Sequence, residues 1–323
     1  MATSLQDWES RIGRRLKLRD LHILSTVVHW GSMAKGASHL GMSQPAVSEA
    51  IASLESTLRV RLVDRSPRGI EPTVYARALL KRGHIVFDEL MEGIRDIEFL
   101  ANPTVGEVRV GCPESMSAGF VPEVIDRLSR QYPQIAVHVI TAQTGEQEFR
   151  ELRERSVDLM LGRILKPVTD EEIATEILCK DTFRVVVDAD SPWARRRKVT
   201  IAELANEPWI LFPENSISGA FVAEGFKASG VPLPQRCVTT YSLQLRMHLL
   251  ATGRYLTVLQ NSVLQFSSKR SSLKSLPVDL RIGSAPIAIF TLRGRTLSAV
   301  VQLFIEHARL AAKSMTKKRR EAS

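Results

Sequence analysis

The chain has 323 residues, 44% hydrophobic and 24% charged, enough for about two globular domains at roughly 100–200 residues each, and its composition excludes a wholly disordered chain, a collagen-like chain and a small disulfide scaffold. Its net charge of +9 is unevenly placed: residues 11–82 hold 13 Lys/Arg against 5 Asp/Glu, residues 313–323 hold 5 against 1, and the rest comes to −3. A basic module on a nearly neutral body points to a polyanion such as nucleic acid, the plainer alternative being a solvated surface.

From the N-terminus, MATSLQDWES lacks the apolar stretch of a secretory signal. Leu18, Leu21, Leu24, Val27 and Val28 recur at helical spacing, and Gly31 stops that helix. Ser32 can cap a second helix, MAKGASHL, and Ser43 a third, QPAVSEAIASLESTL, with Pro45 in its first turn. Short helices joined by a tight glycine turn match a helix-turn-helix. RVRLVDRSPRGIEPTVY then reads as a two-stranded wing turning at Pro67 and Gly69.

From Thr73 to Leu100 there is no proline, and Leu79, Val86, Leu90, Ile94 and Ile97 share one face before Asn102-Pro103 ends the pattern. Such a helix is about 40 Å long at 1.5 Å per residue, and reads as a linker that packs on a partner, or else as a core helix of the domain C-terminal to it. Gly83 and Gly93 weaken it.

Beyond Pro103 strands alternate with helices, the pattern of parallel α/β sheets. Strands are expected at 108–112, 135–140, 157–162, 183–188, 208–212, 255–259 and 285–292, and helices at 121–132, 146–155, 220–228, 243–251 and 297–312. The tail SMTKKRREAS reads as polar and disordered. No apolar run approaches the roughly 18 residues of a membrane-spanning helix. Cys112, Cys179 and Cys237 are far apart without CxxC spacing, which fits a reducing cytoplasm and neither a disulfide framework nor a zinc site.

The residues Ser32, Ala37, Leu40, Ser43-Gln44-Pro45-Ala46-Val47-Ser48, Ile51, Leu54-Glu55, Leu58, Leu62, Arg65 and Thr73 span the helix-turn-helix and wing. In order and spacing they resemble the LysR-type transcriptional regulators. The resemblance implies an α+β and α/β multidomain chain: a leader (1–17), a winged helix-turn-helix (18–75), a linker and dimerisation helix (76–103), a two-lobed α/β effector domain like a periplasmic solute-binding protein (104–312), and a basic tail (313–323). Lobe I would hold about 104–180 and 283–312, and lobe II about 181–282. EPTVYARALLKRGHIVFDEL also resembles a subgroup linked to sugar and aromatic-compound genes. The chain departs from the family pattern at Gly36, Arg59, Val63 and Ala76, and Arg59 stands where a glycine usually follows Leu58. No departure removes a polar contact residue. The leader, with Arg11, Arg14 and Arg15, is either disordered or a basic arm.

In the third helix Val47, Ile51, Leu54 and Leu58 should face the core, leaving Gln44, Pro45, Ser48 and Glu49 side by side near the N-terminus. That end of a recognition helix reads base edges. Gln44 can pair with adenine, Pro45 can meet a thymine methyl, and Ser48 can bond a base or phosphate. Glu49 can accept from cytosine N4, or simply repel DNA. Ser32 and Ser43 suit phosphates at helix N-termini, besides capping. Arg65 and Arg68 suit phosphate or the minor groove.

The resemblance also implies a small-molecule effector clamped between the lobes. Ser115, Ser117, Thr141, Thr144, Phe212, Pro213 and Asn215 fall where strands end and helices begin, the usual lining of such a cleft, although a hydroxyl at a helix start is often a cap. No cofactor other than the effector and no metal is expected: seven histidines are scattered without ligand spacing, and no GxSxG, HExxH, Walker A or GxGxxG element occurs. Arg195-Arg196-Arg197-Lys198 reads as a surface turn. The expectation is a cytoplasmic regulator rather than an enzyme, a homo-oligomer (dimer or tetramer) acting on double-stranded DNA with RNA polymerase. A solute-binding protein without a DNA role is the alternative.

Overall fold

The computed structural model describes residues 13–66, 69–143, 149–266 and 272–321, with backbone alone for 317–321. Residues 1–91 and 92–323 form separate compact units.

In the first unit, α1 (Leu18–Trp30), α2 (Met33–His39) and α3 (Gln44–Leu58) surround one apolar core. Leu21, Leu24 and Val27 are buried as their spacing requires, Ile23 joins them, and Leu18 is exposed. Gly31 takes φ +60° and ends α1 in the left-handed region. Ser32 and Ser43 accept the amides of Lys35 and Ala46, both at 3.4 Å, which supplies donors at two helix starts with partners. Val47, Ile51 and Leu54 are buried, and Leu58 is partly so.

The wing is the antiparallel pair β1 (Val63–Ser66) and β2 (Gly69–Pro72), with Pro67 and Arg68 outside the described residues. Gly69 is required where it stands: its φ is +124°, and a Cβ there would lie 2.6 Å from the Gly31 carbonyl oxygen. Glu55 accepts the amides of Leu62 (2.7 Å) and Val63 (3.3 Å), tying the wing to α3. Arg59, in the glycine position, takes φ +57° as the C-cap of α3. Because a side chain is strained there, Arg59→Gly is expected to stabilise this unit by about 0.5–1 kcal/mol, read as a higher midpoint in urea.

Thr73 caps α4 (Val74–Ala101), accepting the Ala76 amide at 3.2 Å and donating to the Arg61 carbonyl at 2.8 Å. Gly83 lets this helix approach α1, since a Cβ there would meet Leu21 at 2.9 Å. Val86, Leu90, Ile94, Ile97 and Leu100 remain exposed along it.

The second unit holds two five-stranded sheets. The first, in order β4-β3-β5-β12-β6, joins β3 (Val105–Cys112), β4 (Gln134–Thr141), β5 (Leu159–Arg163), β6 (Ile173–Asp181) and β12 (Ala285–Leu292). The second, in order β11-β7-β10-β8-β9, joins β7 (Phe183–Asp188), β8 (Trp209–Leu211), β9 (Cys237–Thr239), β10 (Leu256–Gln260) and β11 (Leu273–Ser275). Both sheets are mixed, not parallel throughout: β12 runs antiparallel to β5 and β6, and β7 antiparallel to β10 and β11. The physical reason is the crossing between lobes. A strand that returns from the other lobe has no crossover helix to turn it parallel.

Helices α5 (Glu114–Ser117), α6 (Phe120–Gln131), α7 (Arg150–Arg153) and α11 (Ala299–Glu321) belong with the first sheet, and α8 (Ile217–Ala228) and α9 (Leu243–Leu250) with the second. The helix expected over 146–155 is the short α7, part of its span lying outside the described residues. The tail expected to be disordered continues α11 to Glu321, with Ala311, Ala312 and Met315 buried in the first core. Three apolar contacts at helical spacing hold it in place.

The lobes are pinned where the chain passes between them. Asn261 begins α10 (Asn261–Phe266) and donates its amide to the Thr182 carbonyl at 2.7 Å. Beside it Asp181, at the end of β6, accepts the Arg163 Nε (3.0 Å), the Ser262 hydroxyl (2.6 Å) and the Ser262 amide (3.1 Å).

Candidate nucleic-acid interface and ligand cleft

On α3 the buried row of Val47, Ile51 and Leu54 fixes which residues face outward. Ser43, Gln44, Pro45 and Glu49 are exposed together at its N-terminal end, and Ser48 and Ser32 are half-buried. Arg65, exposed on β1, donates to the Ser48 hydroxyl at 3.2 Å, so helix and wing meet at this point. Ser48 keeps its own proton to donate, and Arg65 keeps further N–H groups. The arrangement therefore presents an amide, a carboxylate, hydroxyls and a guanidinium side by side at the surface. Arg68 lies outside the described residues.

In the second unit a cleft opens between the two lobes. Ser115 lines it from α5, and Phe212 lines it just beyond β8, as the sequence leads one to expect. The other expected residues are placed elsewhere. Ser117 turns to the thiol of Cys112, the last residue of β3, 3.1 Å away. Thr141 and Asn215 are exposed, and neither they nor Pro213 lines the cleft. Thr144 is outside the described residues.

Several lining residues carry no sequence signal. Arg163 spends its guanidinium on Asp181, Ser115 (2.9 Å) and Ser262 (2.7 Å), so it fixes the cleft floor and carries little free charge. Gln260, at the end of β10, is 5% exposed, and its Oε1 has no partner among the described residues. Phe183 packs on Phe221 at 5.2 Å and Phe212 on Tyr241 at 6.1 Å, giving an aromatic wall. Behind Phe212 lies the Arg246 guanidinium, 4.1 Å from the ring centre and bonded to the carbonyls of Thr240 and Val258. Burial pushes Arg246 down to about 10, against the pull of Glu114. Glu114 bridges the lobes, accepting the amides of Leu243 (2.7 Å) and Gln244 (3.1 Å) at the start of α9.

Burial raises the Cys112 thiol, against the Ser117 hydrogen bond, and pushes Cys179 up to about 11 with help from Asp181. Both remain thiols at neutral pH. Among the described residues no cluster of His, Cys, Asp and Glu could hold a metal, and no helix is long and apolar enough to cross a membrane.

Comparison with known proteins gives two family matches. The family described as bacterial regulatory helix-turn-helix protein, lysR family, matches residues 18–77, and the one described as LysR substrate binding domain matches residues 101–313. The HTH-type transcriptional regulator GbpR of Azospirillum brasilense is 29% identical over 311 residues, covering 95% of this chain and 89% of GbpR. YdcI of Escherichia coli, an HTH-type transcriptional regulator, is 25% identical over 93% of this chain and 97% of its own. A full-length OxyR variant from Pseudomonas aeruginosa shares the fold with a TM-score of 0.60 at 20% identity, over 92% of this chain and 95% of that one. Full-length CbnR, solved with its target DNA, gives a TM-score of 0.52 at 21% identity over 92% and 100%.

Proposed function

The chain belongs to the LysR family of bacterial transcriptional regulators, and from that premise we propose how its residues divide the work. α3 enters the major groove of double-stranded DNA. Gln44 pairs with adenine, Pro45 packs on a thymine methyl, Glu49 accepts from cytosine N4, and Ser48 bonds a base or phosphate. The helix starts at Ser32 and Ser43 hold phosphates, as do Arg65 and Arg68 on the wing. The observation that carries this reading is the exposed end of α3 joined to the wing through Arg65 and Ser48. CbnR, which shares the fold, is seen on its target DNA.

The test is to sequence genomic fragments retained by the purified protein. A few strongly enriched sites, beside the genes it controls, are expected. Retention of no DNA would favour a solute-binding protein without a DNA role. Arg65→Ala should weaken binding to all sequences alike and reduce the slope of log affinity against log salt by about one. An unchanged slope would mean that the wing does not touch the backbone.

The exposed row from Val86 to Ile97 pairs with a second copy, giving a dimer that can double to a tetramer, and a near-palindromic operator. Leu90→Asp would bury an unpaired charge, so sedimentation should show a monomer for the variant and a dimer for the wild type. A monomeric wild type at micromolar concentration would refute the pairing.

The cleft takes a small effector, with polar groups at Ser115 and Gln260 and an apolar face on Phe212. Its binding shifts the oligomer between two arrangements on DNA and so changes recruitment of RNA polymerase. The setting is the cytoplasm, and no enzymatic step is assigned.

A further inference from the structure

β8, β9 and β10 run parallel, so the segments leading into them gather at one end of the second sheet and those leaving them at the other. The leaving end carries Phe212, Tyr241 and Gln260 of the cleft. The entering end carries Glu207-Pro208, Arg236 and Gly253-Arg254. β7 runs antiparallel to β10, so the loop after it brings Ser191–Arg196 to the same end. Together these segments line an open groove of about 520 Å³. The five residues of β10 separate this groove from the cleft, roughly 16 Å at 3.3 Å per residue.

The groove is strongly basic. Arg196, Arg236 and Arg254 face into it against the single acid Glu207. Arg195, Arg197 and Lys198 extend the same turn, and all six cations are exposed. Among the described residues none of the six forms an ion pair. Two guanidiniums lie over rings, Arg196 over Trp193 and Arg254 over Tyr255, each 5.6 Å from the ring centre. Such stacking holds the planar fork in place and leaves its N–H edge for a ligand. Like charges gathered here repel one another, offset in part by Glu207 and by the charge of Glu203 near Arg196, and lend the fold little stability. An anion supplied from outside removes that cost.

The chemistry narrows the anion. Guanidinium forks match phosphate oxygens two at a time, and three forks in one concavity suit adjacent phosphates on one molecule. Pro192, Trp193 and Pro208 line the same groove and offer an apolar floor to a base, while Glu207 can accept from a base amine or a ribose hydroxyl. We propose that this groove is a second ligand site, remote from the cleft, for a nucleoside polyphosphate. Arg196, Arg236 and Arg254 hold the phosphates, and the Trp193 side of the groove holds the nucleoside. The site depends on neither the occupant of the cleft nor the reading of α3.

The test uses the full chain in calorimetry at low salt without magnesium, with ATP, GTP and inorganic tripolyphosphate as probes. The basic helix-turn-helix also attracts phosphates, so the variant Arg236→Glu/Arg254→Glu is the deciding comparison. At least one nucleotide should bind the wild type more tightly than tripolyphosphate does, and the variant should bind it about tenfold more weakly or worse. Arg236→Lys/Arg254→Lys keeps the charge and the fold but loses the forks, and should fall between the two. Retention of genomic DNA should be the same for all three proteins. No nucleotide binding at millimolar concentration, or equal binding by the glutamate variant, overturns the site. Tripolyphosphate binding as well as the nucleotides do overturns the nucleoside half of it. Loss of DNA retention in the glutamate variant, with no nucleotide bound to the wild type, would make the groove a DNA contact and overturn the proposal.

Discussion

Asp158→Ala is expected to destabilise the second unit by about 3–5 kcal/mol, the usual result of removing one member of a buried ion pair. Asp158 is 1% exposed and accepts from the Arg109 amide (2.8 Å), the Arg109 guanidinium (2.7 Å) and Arg295 (3.0 Å). Arg295 is itself buried and also pairs with Glu92, at 3.0 Å. Burial alone would raise the Asp158 carboxyl. The side-chain and backbone hydrogen bonds of Arg109, with the charges of Arg109 and Arg295, outweigh that and hold it below the ordinary value. A carboxyl lowered by folding stabilises fully above its unfolded value, about 3.9, and loses that contribution as pH falls through the folded value. Urea titrations should therefore separate wild type and variant widely at neutral pH, and the gap should close in strong acid. A neutral-pH midpoint unchanged by the substitution would show that the network contributes nothing net.

Gln44→Ala is expected to cost about 1–3 kcal/mol in operator binding, a loss of roughly fivefold to more than a hundredfold, and to relax discrimination at one base pair. Gln44 is exposed at the start of α3, and the Ser43 cap beside it is independent of the Gln44 side chain. The melting temperature should stay at the wild-type value, as should affinity for random DNA. Mobility shifts on the mapped operator and on its single-base variants read both effects. Equal losses on operator and random DNA would place Gln44 on the phosphates instead.

The first unit was legible because its rules are local. Ser32 and Ser43 cap helices three residues on, Gly31 ends one, and Val47, Ile51 and Leu54 repeat at helical spacing. The second unit hides more. β6 is an edge strand whose buried positions, Ile173, Cys179 and Asp181, are irregularly spaced, with Glu176 and Lys180 between them, so it shows no apolar run. β9 and β11 have three residues each, too few for a period to show. The cleft depends on partners far apart in sequence: Arg163 meets Ser262 99 positions later. Nothing near Arg163 announces that bond. Ser115 and Phe212, both near strand ends, line the cleft, whereas Ser117 faces the Cys112 thiol, because a one-turn helix sends alternate hydroxyls to opposite sides. Arg246 could have been noticed as a cation inside an apolar helix, but its place behind Phe212 needs the third dimension.

The Asp181–Ser262 pin and the Glu114 bridge also decide how the two lobes can part. Asn261 and Ser262 are fastened to Thr182 and Asp181 by buried bonds, which act as a pivot. Glu114, at the partly exposed rim, acts as a clasp, and water can take over the two amides it holds. A jaw with a stiff pivot and a releasable clasp has one easy motion, rotation about the pivot. Atoms close to the axis, such as those of Arg163 and Ser115, then keep nearly the same spacing whether the jaw is open or shut. Those on the far lip, such as Tyr241, sweep through the longest arc. For the effector proposed above, the floor would act as a fixed gauge, and closure at the lip would report whether the gauge is filled.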